Sequence, residues 1–130
     1  MIDLFDTFVL SYWCNHATAD DDTIALLEHM EGKKIIIIGT LGAARESAHG
    51  QKVCENVENL VRAHNTLVGH YLCRGSIDLA RTARRLRIPE GEKGHLSPER
   101  FEKQKESLGH PNAEELAQCQ AEVKEFLKAL

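Results

Sequence analysis

Lys33-Lys34-Ile35-Ile36-Ile37-Ile38-Gly39-Thr40 is the stretch on which the fold turns. A strand with one wet face alternates apolar and polar residues, because successive side chains point to opposite faces. An uninterrupted β-branched run needs apolar surroundings on both faces, which is the situation of a strand inside a parallel sheet covered by helices. In open α/β folds the ligand crevice lies beyond the carboxyl ends of the strands. The residues that leave this strand, Gly39, Thr40, Leu41, Gly42 and Ala43, are therefore the first candidates for function.

Working outward, Leu4 to Ser11 reads as a strand and Tyr12 to His16 as the loop that leaves it. Thr18 is suited to cap the next helix, with Asp20, Asp21 and Asp22 complementing the helix dipole. Ile24, Leu27 and Met30 form its apolar stripe, and Gly32 supplies a left-handed stop before the isoleucine strand. Downstream, Val53, Val57, Leu60 and Val61 mark the buried face of a helix over about Glu46 to His64, and Leu67 to Cys73 makes a third strand. A short basic helix near Ile77 to Leu86 and a Gly/Pro connector from Pro89 to Gly94 follow. Ser97-Pro98 is a helix start with serine as cap and proline at the first helical position. Gly109-His110-Pro111 ends that helix, and Asn112 caps a last one whose apolar face is Leu116, Cys119, Val123, Phe126, Leu127 and Leu130. The order β-α-β-α-β with right-handed crossovers predicts parallel strands adjacent in the order first, second, third. Three loops then share one rim: Ser11 to Ala19, Gly39 to Ala44 and Cys73 to Ser76.

Composition narrows the function. The chain has 130 residues, 42% of them hydrophobic, which predicts one domain with one core, 1–130, carrying a helical C-terminal extension over about 89–130. A net charge of −4 argues against a nucleic-acid binder. With no apolar stretch long enough to span a membrane and no signal-peptide pattern, the expectation is a cytoplasmic protein without a membrane partner. Cys14, Cys54, Cys73 and Cys119 form no C-x-x-C pair and read as free thiols. Cys14 and Cys73 both fall on the rim, but strands two positions apart in a sheet are about 9.6 Å apart, and a disulfide tolerates only about 7 Å between Cα atoms. The histidines show no metal-ligand spacing, so no metal site is expected. Arg74, Arg81, Arg84, Arg85 and Arg87 are the one basic concentration in an acidic chain: a solvated helix face, or a surface that docks an acidic partner or captures a phosphate.

The segments Leu10-Ser11-Tyr12-Trp13, Thr18-Ala19-Asp20, Lys34 to Ala43, Cys73-Arg74-Gly75-Ser76-Ile77 and Ser97-Pro98-Glu99-Arg100 together resemble the later part of flavodoxin-like proteins. The likeness is to a bacterial group associated with bilirubin reductase, and it runs from about Asp6 to the C-terminus. It implies a flavodoxin-like three-layer α/β/α sandwich with a parallel sheet, here lacking the first two strands. It further implies FMN as cofactor, with Trp13 as the stacking ring and Thr40, Leu41 and Gly42 along the flavin edge. On the same resemblance Ser11, Tyr12, Cys14, Asn15, Gly39, Cys73, Arg74 and Gly75 complete the cofactor-binding rim. Flavodoxins hold the FMN phosphate with a loop of the type Ser/Thr-x-Thr-Gly-x-Thr, and no segment here fits it. Loss of those charge-assisted bonds, each about 1.5–3 kcal/mol, predicts weak or no FMN binding by this chain alone.

The expected function is an FMN-dependent electron carrier or reductase accessory that works with a redox partner protein, with no catalytic residues of its own. The alternatives are a non-flavin interaction module and a flavin-using reductase. A homo-oligomer is expected across the Leu4 to Leu10 strand, whose outer edge has no partner in the sequence order.

Overall fold

In the computed structural model, which describes residues 2–130, the isoleucine run is the inner strand of the sheet. β3 (Lys34–Leu41) lies between β1 (Thr7–Asn15) and β4 (Thr66–Arg74) and runs parallel to both. Ile35, Ile36 and Ile37 have no exposed surface, as the unbroken apolar run requires. A two-residue strand, β2 (Thr18–Ala19), pairs antiparallel with the end of β1 and completes the order β2-β1-β3-β4.

Both faces carry helices. Ile35, Ile37 and Leu41 share a core with Leu27 of α1 (Asp21–Glu28) and with Val53, Val57 and Val61 of α2 (Ala48–Arg62). On the other face lies α5 (Ala113–Lys128), whose Phe126 ring fills the space that a side chain at Gly69 would occupy. Tyr71 of β4 fixes the start of the same helix by donating its hydroxyl to the Glu115 carbonyl at 2.9 Å. The result is the three-layer α/β/α sandwich. α5 is thus a layer of the sandwich rather than part of an appended extension. The segment between β4 and α5 folds over the carboxyl ends of the strands instead, as α3 (Leu79–Ala83), a 3-10 turn (Arg84–Arg87) and α4 (Pro98–Gln104). It is tied down by Ile77 N–H donating to Ser107 Oγ (2.9 Å) and Ser76 Oγ donating to the His110 carbonyl (2.9 Å), around a fully buried Leu96.

Several local expectations change. β1 starts later and ends later than Leu4 to Ser11, because its ladder with β3 continues to Trp13 opposite Thr40 and β2 then extends it to Asn15. Tyr12 to Asn15 are therefore strand rather than loop. His16 (φ 49°) and Ala17 (φ 64°) form the turn of this hairpin. Thr18 sits in β2, and the cap of α1 is Asp20, which accepts from Thr23 N–H at 3.1 Å. The basic helix is shorter than Ile77 to Leu86, being capped by Asp78 and tightening to 3-10 after Ala83. The Ser97-Pro98 start and the Asn112 cap stand as expected, the latter as a capping box with Glu115. Of the apolar face expected on α5, Cys119, Val123 and Phe126 turn inward, whereas Leu116, Leu127 and Leu130 are exposed.

β1 is the incompletely covered strand. Its outer edge from Thr7 to Tyr12 has no strand partner among the described residues. Its face opposite α1 and α2 leaves Val9 51% and Trp13 52% exposed. Among the described residues, no helix is long and apolar enough to cross a membrane.

Candidate functional site at the carboxyl rim

Parallel pairing brings the ends of β1, β3 and β4 to one rim, with Trp13 beside Thr40 and Thr40 beside Cys73. The pleat then divides the residues expected there. Tyr12, Gly39, Leu41 and Cys73 are buried at the rim: the side chains of Tyr12 and Leu41 support it from beneath, and Cys73 borders the cleft toward α5. Gly39 is required by packing: a Cβ there would lie 2.1 Å from the Tyr12 ring, which crosses the sheet at that point. Gly75 similarly lets the chain pass Thr40, whose Cβ would be 2.9 Å from an added methyl, and Gly42 makes room for Ile77. Ser11 lies one position further down β1, where its carbonyl accepts from Thr23 Oγ1, and Asn15 is held in the hairpin opposite Thr18.

Crossing Gly39 takes Tyr12 to a buried polar chain that sequence spacing did not reveal. The Tyr12 hydroxyl lies 2.6 Å from His70 Nε2, and His70 Nδ1 lies 3.0 Å from Glu58 Oε2. Since the carboxylate can only accept, Nδ1 carries the proton and Nε2 accepts from the phenol. Burial lowers the His70 pKa against the partly offsetting pull of Glu58, which keeps the imidazole neutral. Burial also pushes the Tyr12 phenol well above its ordinary range. Cys54, Glu58 and His70 offer ligand atoms within 4.8 Å of one another. The only sequence signal for this group was Cys54 and Glu58 one helical turn apart, and both His70 nitrogens already have protein partners.

The loop that leaves β1 is fixed by Asp20. Its buried carboxylate accepts from Trp13 N–H at 3.0 Å and from the Thr23 hydroxyl at 2.8 Å, besides capping α1. Burial opposes that charge, but the hydrogen bonds from Trp13 and Thr23 outweigh it and hold the carboxyl below its usual range. The backbone under Trp13 is thereby braced while its indole faces solvent.

Above the rim is a basin of about 660 Å³, within the range of about 300–1,000 Å³ usual for ligand pockets. Cys14, Gly42 and Arg74 line it from the three strand ends, and Ile77, Arg85, Arg100 and Lys103 line it from the covering segment. Trp13 stands outside the basin, because it alternates with Cys14 onto the opposite face of β1. The expected basic cluster is likewise split: Arg74 and Arg85 face the basin, and Arg81, Arg84 and Arg87 do not. Arg74 is oriented by donating Nε–H to the Gly42 carbonyl at 3.1 Å. Arg100 and Lys103 enter from α4, a contribution hidden in the sequence because that helix is acidic and basic by turns. A second cleft of about 460 Å³ lies toward α5 and is lined by Arg45, Tyr71, Cys73 and the carboxylates of Glu46, Glu114 and Glu122. The two concavities thus differ in sign, and the basic one suits an anionic ligand with an apolar part against Ile77 and Ala43.

A family model described as the flavodoxin domain matches residues 1–127. The flavodoxin-like domain-containing protein BilS of Clostridioides difficile (strain CD3) is 26% identical over 129 residues, spanning 95% of this chain and 70% of that protein. Members of the matched family generally bind the flavin FMN, which agrees with a basin lined by basic side chains at the carboxyl rim of a parallel sheet. The chain belongs to the flavodoxin domain family, which supports a redox or flavin-related role in general terms.

Proposed function

We propose that this chain positions FMN at the carboxyl rim and serves as an electron carrier or reductase accessory for a redox partner protein. The observation that carries this reading is the basic basin formed where three parallel strands end, at the place where open α/β sheets bind ligands. When bound, the flavin supplies the electron-transfer chemistry. The protein's part is to hold and orient. Cys14, Gly42 and Arg74 offer backbone and side-chain contacts on the basin side, and Trp13 offers an exposed aromatic face on a strand end braced by Asp20. No chain segment supplies the usual phosphate loop, so binding by residues 1–130 is weak. Titration of FMN fluorescence with the purified chain tests the reading: saturable quenching supports it, and fluorescence that stays constant to the solubility limit contradicts it.

A second reading concerns assembly. The unpaired outer edge of β1 and the exposed Phe5, Val9 and Trp13 beside it favour pairing with a second copy of the chain, because an open apolar edge templates strand addition. Light scattering over a concentration series tests it. A dimer that dissociates on Val9→Lys supports the reading, and a monomer at all concentrations contradicts it.

A further inference from the structure

α2 and β4 bring three metal-ligating side chains together, none of which lines the basin or the cleft toward α5. Cys54 and Glu58 stand one helical turn apart on one side of α2, and His70 meets them from β4. The Cys54 Sγ, a Glu58 carboxylate oxygen and a His70 ring nitrogen all lie within 4.8 Å of one another. Zinc bonds of about 2.0–2.3 Å in a tetrahedron set such atoms about 3.4–3.6 Å apart, so closing the set takes at most about 1 Å of side-chain movement. Glu58 has that freedom, since its side chain is 28% exposed and its Oε1 makes a 3.4 Å pair with the exposed Arg62. His70 is held instead: Tyr12 Oη lies 2.6 Å from Nε2, and the close approach over Gly39 fixes the ring that carries it. A second ring nitrogen engaged in this way is the usual state of a histidine ligand, because that bond fixes its tautomer and plane.

The donor set selects the ion. A thiolate and an imidazole disfavour magnesium and calcium, which prefer oxygen ligands, and the carboxylate disfavours copper(I). One divalent ion, the Cys54 thiolate and the Glu58 carboxylate sum to zero charge, which suits a half-buried position. Arg45 and Arg62 are the cations near the group. Burial and the Glu58 charge raise the Cys54 thiol pKa, and Arg45, hydrogen-bonded to it from the loop before α2, pulls the other way. We propose that Cys54, Glu58 and His70 form a zinc site that clamps α2 to β4 and leaves the fourth coordination position to solvent. On binding, the Cys54 thiol gives its proton to solvent. The proton on His70 Nδ1 is replaced by one on Nε2, which then donates to the Tyr12 oxygen, so the imidazole stays neutral. Histidine spacing gave no sign of this site, because a single histidine enters it.

The test uses the full chain, stripped with a chelator and titrated with zinc ion alone against a chromophoric competitor, then with cobalt(II) as a spectroscopic probe. C54S and E58Q each remove one ligand at nearly constant volume, circular dichroism confirms their fold, and C119S removes a thiol outside the group. The expected result is one zinc ion per chain, bound at least tenfold more weakly in C54S and in E58Q and less than twofold more weakly in C119S. Cobalt(II) should give thiolate-to-metal charge-transfer absorption in the unsubstituted chain and in C119S, and none in C54S. Zinc should raise the Tm of the unsubstituted chain and leave that of C54S unmoved. Absence of saturable zinc binding by the unsubstituted chain overturns the site. Binding that either C54S or E58Q leaves unaltered, or a cobalt thiolate band that disappears in C119S and persists in C54S, overturns it as well.

Discussion

β3 and β1 lie side by side in one parallel ladder, yet their surroundings are opposite. β3 has a strand on each side and helices on both faces, so Ile35, Ile36 and Ile37 are fully enclosed. β1 has an open outer edge and one face covered, leaving Val9 and Trp13 half in water. The composition of each strand follows: unbroken isoleucine in the first, and alternation of Phe8, Leu10 and Tyr12 with Val9, Ser11 and Trp13 in the second. The closed strand stores stability, and the open one presents surface. The candidate site lies where the two end together, where buried supports carry exposed groups.

The sharpest way to break this comparison is a charge in each strand. Ile37→Asp should cost several kcal/mol, since an unpaired carboxylate would lie in a dry layer. Val9→Asp should change stability by no more than about 0.5 kcal/mol. Urea unfolding of both decides it, and equal effects would erase the distinction.

Gly39→Ala probes the crossing between the strands. Its Cβ would meet the Tyr12 ring at 2.1 Å, and the expected loss is about 1–3 kcal/mol from overpacking, reduced when Tyr12 is also shortened to Ala. Additive losses in the double variant would show that the ring is not the obstacle.

Asp20→Asn should cost about 1–2 kcal/mol through weakened bonds to Trp13 and Thr23, and should loosen the β1 loop in hydrogen exchange. The pH dependence has a fixed sign. The Asp20 pKa is depressed on folding, so its contribution is present above the unfolded carboxylate value and is lost as pH falls toward the folded one. The His70 pKa is also depressed, from an ordinary 6.5, so the unfolded chain binds the extra proton first and stability falls as pH drops below that value. Thermal melts from pH 7.5 to 5 should therefore decline, less steeply in His70→Gln, and a flat profile would contradict the neutral imidazole.

The smallest effect concerns Trp13. Trp13→Ala should weaken FMN by about 1 kcal/mol through lost stacking and leave the melting curve nearly unchanged, because the indole is half exposed. Unchanged affinity would confine flavin contacts to the basin.

Much of the fold was legible in the sequence because the strongest signals were local. Four isoleucines in a row, valines at helical spacing and the Ser97 and Asn112 caps each force one structure. The hairpin after β1 was hidden because His16 and Ala17 take a turn conformation that sequence associates with Asn-Gly. The rim was legible from strand ends, but which residues face the ligand was not. That depends on the pleat, which buries Tyr12 and exposes Trp13, and on Gly39 serving a neighbouring ring. The basin's cations were the least legible, since Arg85 and Arg100 meet only when the segment after β4 folds back over the sheet.

The most direct test of the central claim is amide NMR of the chain titrated with FMN. Shifts should concentrate at Cys14 to Ala17, Gly42, Ala43, Arg74 and the Arg85 and Arg100 segments, and should leave Thr7, Lys34 and Thr66 at the opposite ends of the same strands unmoved. Shifts centred on those amino ends, or on the acidic cleft beside α5, would contradict it.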